Sequence, residues 1–379
     1  MIKQITGFLK RQIMLVLSLS AALIGLLITP PSKALFSHID FRTLGVLFMV
    51  LCVLEGIKKE NLLFPVVRLS SRFHTMRSLT LFLVFGVFFL SMFVTNDVSL
   101  LIFVPLTILL FQRAGRENRI LPVLALQNIA AIRGSMLTPF GSPQNLFLYG
   151  HANISPWRFV LHMLPLSLLS ALLLIAFIFL LYRKDNEVIL PMTEPVHTEP
   201  IRTPRRIVFS LLFVLVLLII VTRTNLWHYG LIAVLVTIFI ADRRLFLQVD
   251  YVLIITFFCF FVFSSCIVQS PAIASFLKEK VAGNEYIWSI GLSQIISNVP
   301  ASIVLYPFSE NFAGLIYGLD TAGLCTIIGS LASVINYRLY VRAYQGKGKE
   351  FLKTFTLISL AFFFIVVLPG YLLSFWDFS

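Results

Sequence analysis

The amino-acid sequence predicts an all-α polytopic membrane protein made of two inverted repeats, with about nine transmembrane helices, two re-entrant hairpins and two broken helices. Three observations carry this expectation. Of the 379 residues, 58% are hydrophobic and 12% charged, with a mean hydropathy of +0.93; a soluble globule usually carries about 25% charged residues. The apolar runs are continuous and rich in Leu, Ile, Phe and Val, without the alternation of a membrane β-barrel. One polar motif also occurs twice in an unbroken register 202 positions apart, as Ser91 to Thr95-Asn96-Asp97 and on to Pro105, and as Ser293 to Ser297-Asn298 and on to Pro307.

The first membrane half, residues 1–182, opens with Lys3, Lys10 and Arg11 ahead of the apolar run Gln12–Thr29. No small-residue cleavage site follows it, so the run is read as a retained first span. Thr43–Ile57 returns. A hairpin over about 78–111 follows, formed by Leu79–Val94 and Leu100–Phe111 around the Thr95-Asn96 tip. Its second arm falls short of the roughly 20 apolar residues that a span needs, which favours a re-entrant loop. A broken helix over about 120–150 is interrupted from Gly134 to Asn145, and Phe159–Tyr182 closes the half.

Residues 183–206 are polar and contain Pro191, Pro195, Pro200 and Pro204, the composition of a cytoplasmic linker. The second half, residues 207–379, supplies the spans Ile207–Val221, Tyr229–Ala241 and Tyr251–Val268, then the external segment Pro271–Glu285. A second hairpin over about 286–309, a broken helix over about 312–337 and the span Thr354–Phe375 complete it. In this threading 23 of the 30 Lys and Arg residues lie in cytoplasmic segments, 6 lie outside and Arg133 is left in mid-span. That bias sets the N-terminus in the cytoplasm and the C-terminus outside. Asp40-Phe41 opens an inward-going span and Asp250-Tyr251 an outward-going one, each ahead of a hairpin, as in an inverted-repeat transporter with a midplane site.

The net charge of +13 comes from basic residues in short loops, which suits membrane orientation better than nucleic-acid binding. Cys52, Cys259, Cys266 and Cys325 lie in apolar segments and fit neither a disulfide framework nor a zinc site. The histidines lack metal-ligand spacing and no Walker motif is present, so no cofactor is expected beyond Na+ or H+ as coupling ion.

Chemistry concentrates at the hairpin tips and helix breaks. Thr138-x-x-Gly141-Ser142-x-x-Asn145-x-x-x-Tyr149 matches Thr326-x-x-Gly329-Ser330-x-x-Ser333-x-x-x-Tyr337 at an offset of 188; a second register, at 191, pairs Asn145 with Asn336. The first register keeps Gly-Ser, the part that breaks a helix. Broken backbone at membrane depth is tolerated only where protein or a water-filled cavity accepts it. Freed carbonyls with Asn and Ser oxygens suit a small cation, while half-helix N-termini face an anion. Arg133 in mid-span either neutralises an anionic substrate or pairs with Asp97, and an intramembrane arginine is a functional hypothesis by default. Asp97, the acid inside the first tip motif, is the candidate for reversible protonation.

The runs Thr95-Asn96-Asp97, Thr138-Pro139-Phe140-Gly141-Ser142-Pro143-Gln144-Asn145 and Ser297-Asn298-Val299-Pro300 resemble signatures of the ion transporter superfamily, specifically its arsenical-pump and sodium/proton-antiporter permease branch. Divalent-anion symporters are similar. The resemblance spans about Asp40 to Tyr340 and implies a cation site at each tip with substrate between them. Carried over, the first cation site uses Thr95, Asn96, Gly141 and Asn145, and the second Ser297, Asn298, Gly329 and Ser333. Substrate would meet Asn96, Ser142, Asn298, Ser302 and Arg133. Two positions depart from the pattern: Ser333 stands where asparagine is usual, and Ile132-Arg133-Gly134-Ser135 replaces Asn-Ile-Gly-Ser.

The expected activity is secondary active transport of a small inorganic or organic anion (or oxyanion), coupled to Na+ or H+, by alternating access of a hairpin-bearing domain. The alternatives are a Na+/H+ antiporter and, from another class, a membrane receptor-like or enzyme subunit. An enzyme would need paired carboxylates, a His cluster or a Ser-Lys dyad at membrane depth, and the sequence offers none, so the chain is not expected to be an enzyme. A bacterial inner membrane is the expected location, the lipid bilayer and a small anion are the expected partners, and a homodimer is left open.

Overall fold

The computed structural model describes residues 13–30, 39–60, 73, 75–183, 203–222 and 225–376, together with Leu35. Its elements are helices, which satisfy their own backbone hydrogen bonds as hydrocarbon requires. In the first half these are α1 (Ile13–Ile28), α2 (Phe41–Lys59), α3 (Met76–Val94), α4 (Asn96–Arg113), α5 (Ile120–Ser135), α6 (Pro143–His151) and α7 (Pro156–Leu181). The second half contributes α8 (Thr203–Thr222), α9 (Trp227–Asp242), α10 (Tyr251–Gln269), α11 (Pro271–Val281), α12 (Glu285–Ile296), α13 (Asn298–Leu305), α14 (Phe312–Ala322), α15 (Leu331–Ala343) and α16 (Gly348–Leu373). Among the described residues six helices are long and apolar enough to cross a membrane: α3, α4, α7, α8 (from Pro204), α10 and α16. The nine expected crossings are α1, α2, the broken pair α5–α6, α7, α8, α9, α10, the broken pair α14–α15, and α16.

The linker lies mostly outside the described residues, as do the first twelve residues and the basic loop residues Arg68 and Arg72. Its last four residues, from Thr203, already belong to α8. The segment expected outside the membrane contains a helix, α11, started by Pro271 and carrying Lys278 and Lys280 near its negative end.

Each repeat begins with an aspartate cap. Asp40 Oδ1 accepts the Thr43 N–H at 2.9 Å, and Asp250 Oδ1 accepts the Leu253 N–H at 3.1 Å. Each then builds a three-helix unit, with α3 and α4 packed on α5 in the first half and α12 and α13 packed on α14 in the second. The halves exchange partners across the centre, because α4 packs on α15 and α13 on α6. Each hairpin's return arm thus rests on the second segment of the other half's broken helix. A separate apolar core, including Met49, Val53, Phe209, Val216, Val234 and Ile238, joins α2, α8 and α9 beside this unit.

The two hairpins differ in their return arms. The first was expected to return through a short arm, Leu100–Phe111, but α4 is an unbroken 18-residue helix from Asn96 to Arg113. The chain reverses at Thr95 alone, so Asn96 to Ser99 start a helix instead of forming a polar loop. Leu106, Ile108, Leu109, Leu110 and Phe111 continue it beyond Pro105. In the second hairpin α13 has 8 residues and ends in a short 3-10 turn, Tyr306–Phe308, containing Pro307. The chain turns there because buried Glu285 accepts the N–H groups of Glu310 and Asn311, both at 3.0 Å.

Candidate functional site

The tips of the two hairpins have one backbone geometry. Among the described residues Thr95 and Ser297 are the non-glycine residues with positive φ, at φ 77°, ψ 156° and φ 71°, ψ 157°. Non-glycine residues adopt that region at a cost of order 1–3 kcal/mol, and only where surrounding structure holds them there. In each half a hydrogen bond ties the residue after the tip to the helix break. The Asn96 N–H donates to the Gly141 carbonyl at 3.2 Å, and the Asn298 N–H donates to the Gly329 carbonyl at 3.1 Å.

The helix breaks repeat as faithfully. Gly141 N–H donates to the Thr138 carbonyl at 3.3 Å, and Gly329 N–H to the Thr326 carbonyl at 3.2 Å. A Cβ on Gly141 would meet the Ser135 carbonyl oxygen at 2.2 Å, and one on Gly329 the Ala322 carbonyl oxygen at 2.4 Å, so both turns close only on glycine. Ser142 and Ser330 then open α6 and α15 with matching extended backbone, at φ −146° in both. These pairings follow the 188 register. The second break, however, begins at Gly323, before the expected Gly329, because Leu324 and Cys325 N–H groups turn back to the Thr321 and Ala322 carbonyls at 3.1 Å each.

The breaks also differ in their side-chain bonds. Thr138 Oγ1 donates to the Met92 carbonyl of α3 at 2.5 Å, whereas Thr326 Oγ1 donates to the Gln294 side-chain oxygen of α12 at 2.8 Å. Asn145 Nδ2 donates to the Met136 carbonyl at 3.3 Å, leaving its buried Oδ1 without a donor. Ser333 Oγ, its counterpart, is taken by Asn128 Nδ2 at 2.9 Å. Asn336, the partner in the second register, donates to the Leu124 carbonyl at 2.8 Å and ties α15 to α5.

At the candidate substrate positions, Asn96, Ser142, Asn298, Ser302 and Arg133 are all buried. Ser302 Oγ donates to the Val299 carbonyl within α13 at 2.6 Å, and Asn298 Nδ2 to the Leu319 carbonyl at 3.4 Å. Arg133 is 0% exposed, and its guanidinium donates from Nη1 to the Met136 sulfur at 3.5 Å, while Nε and Nη2 have no acceptor among the described residues. Its charged neighbour is Asp320 of α14, with the Tyr286 phenol also within electrostatic reach. Asp97 is partly buried in the first turn of α4, with its N–H donated to Asn96 Oδ1 at 2.9 Å.

Asp320 was missed in the sequence. It is fully buried, its Oδ1 accepts from Gln144 Nε2 at 3.1 Å, and its Oδ2 has no donor. The available signal was an acid alone within the apolar run Phe312–Ala322. Among the described residues no group of three or more His, Cys, Asp and Glu side chains could hold a metal ion.

A cavity of about 610 Å³ lies beside the return arm of the second hairpin, lined by Asp40, Phe147, His151, Phe261, Ser264 and Tyr306 among others. Two of its lining residues meet there, with Asp40 Oδ2 3.6 Å from His151 Nε2. A neighbouring cavity of about 260 Å³ shares Asp40 and His151.

Comparison with known proteins agrees with this architecture. A citrate transporter family model matches residues 5–318. The inner membrane protein YbiR of Escherichia coli strain K12 is 30% identical over 311 residues, covering 79% of this chain and 80% of YbiR. The uncharacterized transporter MJ0456 of Methanocaldococcus jannaschii is 28% identical over 351 residues, covering 90% and 92%. In fold the chain is similar to the Alcanivorax borkumensis YdaH transporter, whose crystal structure was described as having an unusual topology, at a TM-score of 0.56 and 15% identity over 91% of this chain and 87% of that one. The matched hairpins, the paired helix breaks and the family match over most of the sequence make this chain an integral membrane transporter, not an enzyme, that belongs to the citrate transporter family.

Proposed function

We propose that the protein is a secondary active transporter of a small anion, coupled to Na+ or H+, in which the hairpin-bearing unit moves against the α2–α8–α9 core to give alternating access. Arg133 carries this reading. A guanidinium enclosed at the centre of a membrane protein, with two nitrogens lacking acceptors, is matched by a ligand that brings oxygen acceptors and negative charge. The four helix N-termini at Asn96, Ser142, Asn298 and Ser330 add positive potential of the same sense. The family's name makes a carboxylate such as citrate the first anion to test. YbiR's description as an inner membrane protein supports the same location here.

The test is uptake into proteoliposomes of citrate, succinate, sulfate and arsenite, each under an inward Na+ gradient, an inward H+ gradient or neither. Uptake of at least one anion should exceed that of empty vesicles and should collapse when the driving gradient is dissipated. Na+/H+ exchange without any anion would instead establish the antiporter, and uncoupled flux a channel.

A further inference from the structure

At its C-terminal end α6, part of the hairpin-bearing unit, meets the α2–α8–α9 core through two polar contacts. Tyr149 Oη donates to the Val221 carbonyl of α8 at 3.2 Å, and His151 Nε2 faces Asp40 Oδ2 of α2 at 3.6 Å. The two contacts differ in kind. A bond from a phenol to a carbonyl is the same in mild acid and mild base, whereas a contact between histidine and a carboxylate depends on the charge of the ring.

The other nitrogen of the ring decides which charge state makes the contact. His151 Nδ1 lies 2.9 Å from the Phe147 carbonyl one turn back, and a carbonyl only accepts, so Nδ1 carries a proton. In the neutral ring Nε2 therefore turns a lone pair toward the carboxylate, and the two repel. A second proton makes Nε2 a charged donor aimed at Asp40. Both partners are held in place for it. The Thr43 N–H and hydroxyl both bond to the Asp40 carboxylate at the start of α2, and the His151 ring centroid lies 4.6 Å from that of Phe147 and 4.8 Å from that of Tyr306. The His151 side chain is 31% exposed, so protons reach it from solvent.

We propose that Asp40 and His151 form a pH-sensitive latch, in which acid charges the ring, draws it onto the Asp40 carboxylate and holds α6 with its hairpin-bearing unit against the core. The latch rests on the reading above that this unit and the core move against each other. It belongs to one repeat. Asp250 starts α10 as Asp40 starts α2, but the 188 register sets Leu339 opposite His151, so the second repeat lacks the titrating partner and the latch favours one end state. Among the described residues the other charged or titratable groups around the ring are Arg42, which lines the smaller cavity with Asp40 and His151, and Tyr306. Glu310, beyond Tyr306, lies 3.3 Å from Lys278. α13 brings no titratable side chain, and Tyr317 and Asp320 of α14 are bonded to His162 and Gln144.

The experiment places a thiol under the latch. Val46 of α2 is buried and lines the smaller cavity with Asp40 and His151, and Val46→Cys nearly conserves its shape. The purified full chain carrying it is labelled with a maleimide at about pH 5.5 and about pH 8, either side of the ordinary histidine transition, and peptide mass spectrometry reads position 46. Each rate is divided by that of the same protein with His151→Gln at the same pH, which cancels the titration of the thiol itself. The ratio should be about one at the higher pH and about two- to fivefold lower at the lower pH, the size of a part-exposed ion pair. Asp40→Asn keeps a good helix cap and should abolish the protection in acid. Tyr149→Phe should speed labelling equally at both pH values and leave that protection in place. A ratio that does not change with pH, protection that survives Asp40→Asn, or protection that Tyr149→Phe also abolishes would each overturn the latch. Protection in a protein that takes up no anion into proteoliposomes would leave the latch standing and remove the transport reading, and uptake without protection would do the reverse.

Discussion

Arg133→Gln is expected to weaken binding of carboxylate anions by about 10- to 150-fold, the range given by losing charge-assisted hydrogen bonds of about 1.5–3 kcal/mol. The shorter amide stays polar but gives up the Nη1 contact with Met136, the charge and the fork of donors. Arg133→Lys should restore little, because a point charge does not reproduce bidentate geometry. The stability of the same variants separates anion binding from a purely structural role. Arg133 and Asp320 form no direct ion pair among the described residues, yet their charges meet in a buried setting, where an effective dielectric of about 20 gives a coupling of about 1–4 kcal/mol. A double-mutant cycle of Arg133→Gln with Asp320→Asn, read by thermal unfolding, should recover a coupling of that size. The same cycle with Asp97→Asn should be additive. Unchanged anion affinity in Arg133→Gln would remove Arg133 from the substrate site.

The second large effect is an inequality between two matched positions. Asn145→Ala is expected to weaken the sodium dependence of transport by about tenfold or more while the protein stays folded, because it removes a buried oxygen that has no donor within the protein. Ser333→Ala acts differently. Its oxygen accepts from Asn128, so its loss orphans that amide and lowers stability by about 1–3 kcal/mol, with the sodium midpoint little changed. Sodium titrations of uptake for both variants, alongside their melting curves, check this. Equal and large shifts in sodium midpoint would contradict the inequality and restore two equivalent sites.

Much of this arrangement was legible because it is written twice. The Ser/Thr-Asn motif and the Gly-Ser breaks recur at fixed offsets, and the same residues form the strained tips at Thr95 and Ser297 and the closed turns at Gly141 and Gly329. What the sequence hid has no repeat. Asp320 aligns with Ile132, and its partner Gln144 lies 176 residues away, so no local spacing joins them. Asp97 drew attention by its place next to a tip, and the structure sets it in the first turn of the helix that Thr95 starts. The length of the first return arm was underestimated for a related reason. One residue with positive φ reverses the chain without the polar loop that a tip of several residues would need.

The inverted relation of the two hairpins is the central claim, since alternating access depends on hairpins that enter from opposite faces. Cysteine labelling with a membrane-impermeant maleimide tests it directly, using Asn118→Cys beyond the return arm of the first hairpin and Ser275→Cys on α11 before the second; both positions are exposed. In intact cells Ser275→Cys should label and Asn118→Cys should label only after the membrane is permeabilised. Labelling of both from the same side would contradict the inverted repeat.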